Sequence, residues 1–124
     1  MPIHFTIDHD KRHVEAQAKG ETGLEDVENF LDAVVLQGAL PYRKLFDARE
    51  AQPQLSDDDV MVLGARVSAY AEMEPRGPIA TIAPPGAAAD VIRRFMNLGG
   101  AARAIRLFDS IDEARKWLAE QPET

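Results

Sequence analysis

The chain predicts an α/β domain built on a mixed β-sheet of about five strands with four helices, in the order β-β-α-β-α-β-α-β-α. Three observations carry that prediction. Ile3, Phe5 and Ile7 alternate with His4, Thr6 and Asp8, and Val14, Ala16 and Ala18 continue the alternation after the polar turn Asp8-His-Asp-Lys11, which reads as an opening β-hairpin. Short apolar runs then alternate with longer stretches of helical spacing, the pattern of βα units on a partly parallel sheet. Finally, the run ending at Asp109 is followed by Ser110 with Glu113 three residues on, a capping box that opens a last helix bearing Ile111, Ala114, Trp117 and Leu118 on one stripe.

Between these ends the elements follow in order. Gly20-Glu-Thr-Gly23 breaks the second strand, and Thr22 with Glu25 is read as the capping box of a helix whose core face is Val27, Phe30, Leu31, Val34 and Val35. Gly38 and Pro41 stop it. Lys44-Leu-Phe-Asp47 is a short buried strand, and Ala48 to Leu55, with Pro53, reads as a loop. Ser56 with Asp59 caps a second helix carrying Val60, Leu63, Val67 and Tyr70, and Asp57 to Asp59 place negative charge where the helix dipole favours it. Pro75, Gly77 and Pro78 end that helix. Ile79 to Ala83 is the most apolar strand, and Pro84-Pro-Gly86 leads into a third helix with Val91, Ile92, Phe95 and Leu98, stopped at Gly99-Gly100.

At 124 residues, 45% apolar and 28% charged, this is expected to be one globular domain over residues 1–124. The chain has no cysteine, which removes disulfides, thiolate chemistry and cysteine metal sites. No apolar run approaches a spanning helix and no signal peptide precedes the first strand, so the expected location is the cytoplasm. A net charge of −7 argues against nucleic acid as a partner, because phosphate binding needs a basic surface. Between Arg76 and Arg106, however, five arginines (Arg76, Arg93, Arg94, Arg103 and Arg106) face a single acid, Asp90. Solvated helix and strand surfaces are the plain account. A membrane surface or a protein partner met through Arg93 and Arg94 is the alternative.

The strand and helix order, Phe46-Asp47, the capped Ser56 helix, the apolar fourth strand and Leu107-Phe108-x-x-x-x-x-Ala114-x-x-Trp117-Leu118 resemble the SpoIIAA-like family, a branch of the STAS fold. The resemblance covers nearly the whole chain. It implies a small cytoplasmic bacterial domain, suggested in the family to hold a non-polar molecule in a cavity beside the sheet, with membrane association through mobile helices. Better-characterised STAS relatives are phosphorylation switches with a serine at the start of the second helix, and Ser56 falls near that position. The relatives' Asp-Ser-Ser-Gly-like turn is replaced here by Leu55-Ser-Asp-Asp-Asp59, where a phosphate would meet three carboxylates.

The leading expectation is therefore a non-enzymatic binding module with a small apolar or amphipathic ligand against Phe46, Leu63, Val67, Tyr70, Gly86, Ile92, Phe95 and Met96. Met61, Met73 and Met96 would add adaptable walls, and Gly86 would let the backbone approach a ligand. The plain account of those residues is a filled core. The alternative function is a protein-interaction or phosphorylation switch at Ser56. His4, His9 and His13 cluster in the hairpin, where His4 and His13 with Asp8 or Asp10 are a candidate metal set, weighed against exposed surface histidines. Asp47 is a conceivable acid or base, weighed against a loop-ordering aspartate. No cofactor motif is present, and a homodimer is left open.

Overall fold

The computed structural model describes residues 2–73, 75–99 and 105–122. Five strands and four helices follow in the expected order: β1 (Ile3–Asp8), β2 (His13–Gly23), α1 (Leu24–Leu36), β3 (Arg43–Gln54), α2 (Asp57–Ala71), β4 (Ile79–Ile82), α3 (Ala87–Gly99), β5 (Ile105–Phe108) and α4 (Ile111–Glu120). The sheet runs β1-β2-β3-β4-β5. β1 is antiparallel to β2, and the remaining neighbours are parallel. Three successive parallel crossovers in one direction put α1, α2 and α3 on one face when each is right-handed. α4 follows the last strand and covers β3, β4 and β5 from the other face.

The alternation of β3 shows how one strand serves both layers. Leu45 joins Ala80 and Ile82 beneath Ala114 and Leu118 of α4, whereas Ala48 packs with Ala83 and Ala89 at the foot of α3. On the hairpin side, Val14, Ala16 and Ala18 pack with Phe30 and Val34 of α1. Phe5, Phe30 and Phe46 continue this core as a chain of edge-to-face rings, with centroids 5.2 and 5.6 Å apart.

The strand boundary after Asp47 differs from the sequence reading. Residues 48–54 are not a loop, because β3 continues to Gln54 alongside a β2 that continues to Gly23. A register shift between Gln17 and Lys19, with Gly20 at φ 73°, carries the pair across the expected break. β4 pairs with β3 from Lys44 to Asp47, so beyond that point no strand among the described residues pairs with β3 on its β4 side. Pro53, which has no N–H to donate, is accommodated there.

The cap of α1 also differs. The N-cap is Gly23, whose N–H donates to Asp26 Oδ2 at 2.9 Å, while Thr22 is buried in the strand and its hydroxyl donates to Gly20 O. The extension of β2 moves the helix start past Thr22. At the other end Gly38 has φ 69°, Ala39 N donates to Val34 O and Gly38 N to Val35 O, a Schellman closure. Ser56 and Asp59 form the expected reciprocal cap, at 3.1 and 3.0 Å. At Ser110 the hydroxyl accepts from Glu113 N at 3.4 Å. Arg103 and Gly100, used in the sequence reading, lie outside the described residues.

Candidate functional site

A part-enclosed apolar cavity of about 180 Å³ lies between the sheet and the helices α1, α2 and α3. Six of the expected residues line it: Phe46 from β3, Leu63, Val67 and Tyr70 from α2, and Ile92 and Phe95 from α3. Leu63 and Val67 are buried, and Tyr70 is half-buried at the margin. The helical spacing of 63, 67 and 70 turns all three toward the sheet.

Gly86 and Met96 do not line this cavity. Gly86, with φ 151°, accepts Asp90 N through its carbonyl and begins α3. Met96 turns with Arg93 toward a second depression, beside Pro85, Arg106 and Asp109 at the carboxyl ends of β4 and β5. The other proposed methionine walls also fail. Met61 and Met73 point outward, 60% and 67% exposed. Met61 falls outside the inward stripe of α2, where the face is set by helical angle, and Met73 lies in the turn after α2 ends at Ala71 rather than on a helix.

Two groups of wall residues had been assigned other roles. Val27, Phe30, Leu31 and Val34 of α1, read as core, also face the cavity. Ala51, Pro53 and Leu55 do so too, from the segment read as a loop. Their period-two spacing is the signal that a strand continues there.

α2 is the outer wall. It packs on α3 and α1, and the cavity separates it from the sheet. Gly64 faces α3, since a Cβ built there would lie 3.5 Å from Leu98 Cβ. Polar links secure both flanks. Arg66 reaches α1 at Asp32 (2.6 Å) and Glu28 (2.9 Å) and donates to the Tyr70 hydroxyl at 3.2 Å. Asp57 pairs with Arg94 of α3.

The polar side chains in the wall are directed into the protein. Thr22 Oγ1 donates to Gly20 O at 3.1 Å, and Thr81 Oγ1 to Arg106 O at 2.8 Å. Buried Lys44 donates from Nζ to the carbonyls of Leu40 and Tyr42, the latter at 2.7 Å.

The remaining candidate residues lie elsewhere. Asp47 shares the α4 side of β3 with Leu45, away from the cavity. It accepts from Arg49 N, Nε and a terminal guanidinium nitrogen at 3.0, 3.0 and 2.7 Å. The Arg49 hydrogen bonds hold its carboxyl below the ordinary aspartate range, and burial opposes them. Glu15 is likewise held low, first by its hydrogen bond to Arg115, with burial opposing and His13 assisting.

The strand register places His4 opposite Gln17 and His13 opposite Asp8, so the two histidines do not meet across the hairpin. His9 Nδ1 lies 2.8 Å from the Tyr42 hydroxyl. Among the described residues no group of three or more histidine, aspartate or glutamate side chains is placed to hold a metal ion. Arg93 lies 3.5 Å from Asp90 of its own helix, and Arg106 stacks over Phe108, 5.4 Å from the ring centroid. These pairings divide the expected basic surface into separate contacts. Among the described residues no helix is long and apolar enough to cross a membrane.

Solved structures show where this fold recurs. An uncharacterised protein with a SpoIIAA-like fold from Shewanella loihica PV-4 superposes with a TM-score of 0.60, at 21% identity over 94% of this chain and 93% of that one. The anti-sigma factor antagonist SpoIIAA in its unphosphorylated form gives 0.57, at 15% identity over 96% and 99%. An anti-sigma factor antagonist from Mycobacterium paratuberculosis gives 0.57, at 17% identity over 95% of each chain. This chain has the SpoIIAA-like fold. No protein-family model and no curated protein sequence matches it. At these identities the SpoIIAA-like likeness is one of fold, and function has to be argued from the site.

Proposed function

We propose that the protein is a non-enzymatic binding module that holds a small apolar molecule between the sheet and α1–α3. The observation that carries the reading is the cavity itself. Protein interiors are packed as densely as organic crystals. A part-enclosed apolar space of about 180 Å³ leaves the side chains around it without packing partners on one side. An apolar occupant would supply the missing contacts. Six of the residues singled out for ligand contact line this space, and α2 forms its outer wall.

Native mass spectrometry on freshly purified protein, with denaturing extraction of any bound mass, tests the reading. A stoichiometric ligand of a few hundred daltons or less is expected, released on denaturation. A protein that stays empty, and whose melting temperature no apolar compound raises, would refute it.

The second reading is a protein-interaction switch at the start of α2. It is favoured by the exposure of Ser56 beside an outer helix surface carrying Met61 and Val62. Two of the similar folds belong to anti-sigma factor antagonists. The Ser56 hydroxyl already caps α2, and Asp57, Asp58 and Asp59 would repel a phosphate there. Phosphosite mapping on protein from its native cells decides this reading, and an unmodified Ser56 under all growth conditions ends it.

A further inference from the structure

We infer that the cavity selects a neutral compound of one or two fused rings, rather than a long-chain lipid. The inference rests on the binding reading above and narrows it to a chemical class. Three features lead to it.

The first is size. A cavity of about 150 Å³ lined by aliphatic and aromatic side chains holds benzene, whereas drug-sized ligands occupy about 300–1,000 Å³. At about 180 Å³, this cavity suits a single ring and, with small side-chain adjustments, a bicyclic one. An acyl chain of lipid length exceeds this volume, and seating all of it would push α2 outward. That would strain the Arg66 links to Glu28 and Asp32 and the close approach of Gly64 to Leu98.

The second is wall shape. Phe30, Phe46, Tyr70 and Phe95 all contribute to the lining, and Phe30 and Phe46 already meet edge to face at 5.6 Å. Rings in that arrangement can offer a planar guest the edge-to-face and offset contacts that aromatic groups favour beyond their buried area.

The third is the direction of the polar groups. Thr22, Thr81 and Lys44 donate to backbone carbonyls of the protein, and the Tyr70 hydroxyl is engaged with Arg66 and Asp32 at the outer margin. A guest with its own charge would be desolvated against an almost wholly apolar wall, which is costly. A neutral guest avoids that cost.

The test is a panel of toluene, indole, naphthalene, benzoate and palmitate, followed through the methyl resonances of Leu63, Val67 and Ile92 in the intact chain. Indole and at least one of the two hydrocarbons are expected to shift these resonances saturably. Benzoate and palmitate are expected to bind about tenfold more weakly or worse. If palmitate or benzoate binds as tightly as the neutral rings, the ring assignment is overturned while the cavity remains a binding site. If none binds, both readings fall.

Two variants address the walls. Val67→Phe places a ring inside the cavity and is expected to abolish indole binding with the remaining spectrum unchanged. Unaltered indole binding in folded Val67→Phe overturns the inference. Leu63→Ala enlarges the space and is expected to move the preference from toluene toward naphthalene; an unchanged preference counts against the size argument. Should either variant fail to fold, the wild-type panel decides by itself.

Discussion

Single residues decide more here than their types suggest, and the glycines show it. Gly64 and Gly77 look alike in the sequence, yet their surroundings give opposite expectations. A Cβ at Gly64 would meet Leu98 at ordinary contact distance, so Gly64→Ala is expected to stabilise the protein by up to about 1 kcal/mol through helix propensity. At Gly77 a Cβ would run into the backbone carbonyls of Pro41 and Tyr42, atoms that cannot turn aside. Gly77→Ala is expected to destabilise by about 2 kcal/mol or more. Urea unfolding of the two variants checks both signs. The same scale holds the acid response. Asp47 and Glu15 are both held below their ordinary values of 3.8 and 4.5 by arginine partners. A carboxyl whose folded value is depressed contributes stability that is complete above its unfolded value and lost as pH falls through the folded one. Stability should therefore be level down to about pH 5 and decline below about pH 4.5. Arg49→Gln should lessen the Asp47 part of that decline, as followed by urea midpoints across pH 3–7.

Among the elements, α2 is the outer wall of the cavity, and its flanks are secured by polar links. Arg66 joins it to Glu28 and Asp32 of α1, and each partner is partly exposed. Surface ion pairs contribute little to global stability, so Arg66→Ala is expected to lower it by less than about 1 kcal/mol. Its effect should be local. Amide hydrogen exchange in α2 should accelerate, while exchange in β2, β3 and β4 stays slow. Equal acceleration throughout the sheet would show that α2 unfolds only with the rest of the domain. β3 gives the complementary case. Its outer half, Ala48–Gln54, extends past β4 with β2, and through Ala51 and Pro53 it supplies one end of the cavity wall.

For the whole molecule, the two faces of the sheet are closed in different ways. Three helices and a cavity occupy one face. On the other, α4 covers Leu45, Ala80 and Ile82, which are nearly inaccessible to solvent. A chain ending at Asp109 would expose this cluster, and it is expected to lose cooperative unfolding and to bind hydrophobic dyes. Deletion of residues 121–124 should be tolerated far better. Circular dichroism melts and dye fluorescence on the two truncations measure the difference.

Element order, the caps at Ser56 and Ser110 and the inward stripe of Leu63, Val67 and Tyr70 were legible in the sequence. Each follows from local periodicity or from a side chain meeting the backbone three residues away. The sequence by itself could not separate a filled core from a walled cavity. That difference lies in how α2 seats over the sheet, which depends on contacts between residues far apart in sequence, such as Arg66 with Glu28 and Asp32. Nor could it show that Gly20 marks an irregularity within a continuing strand rather than its end. The partner that sustains the strand, residues 48–54, becomes visible only when the two segments pair in space. The eight expected contact residues divide for the same reason. Leu63, Val67 and Tyr70 share a face of α2 set by local geometry, whereas their meeting with Phe46, Ile92 and Phe95, and the placing of Gly86 and Met96 outside the cavity, depend on how α3 and β3 pack in space.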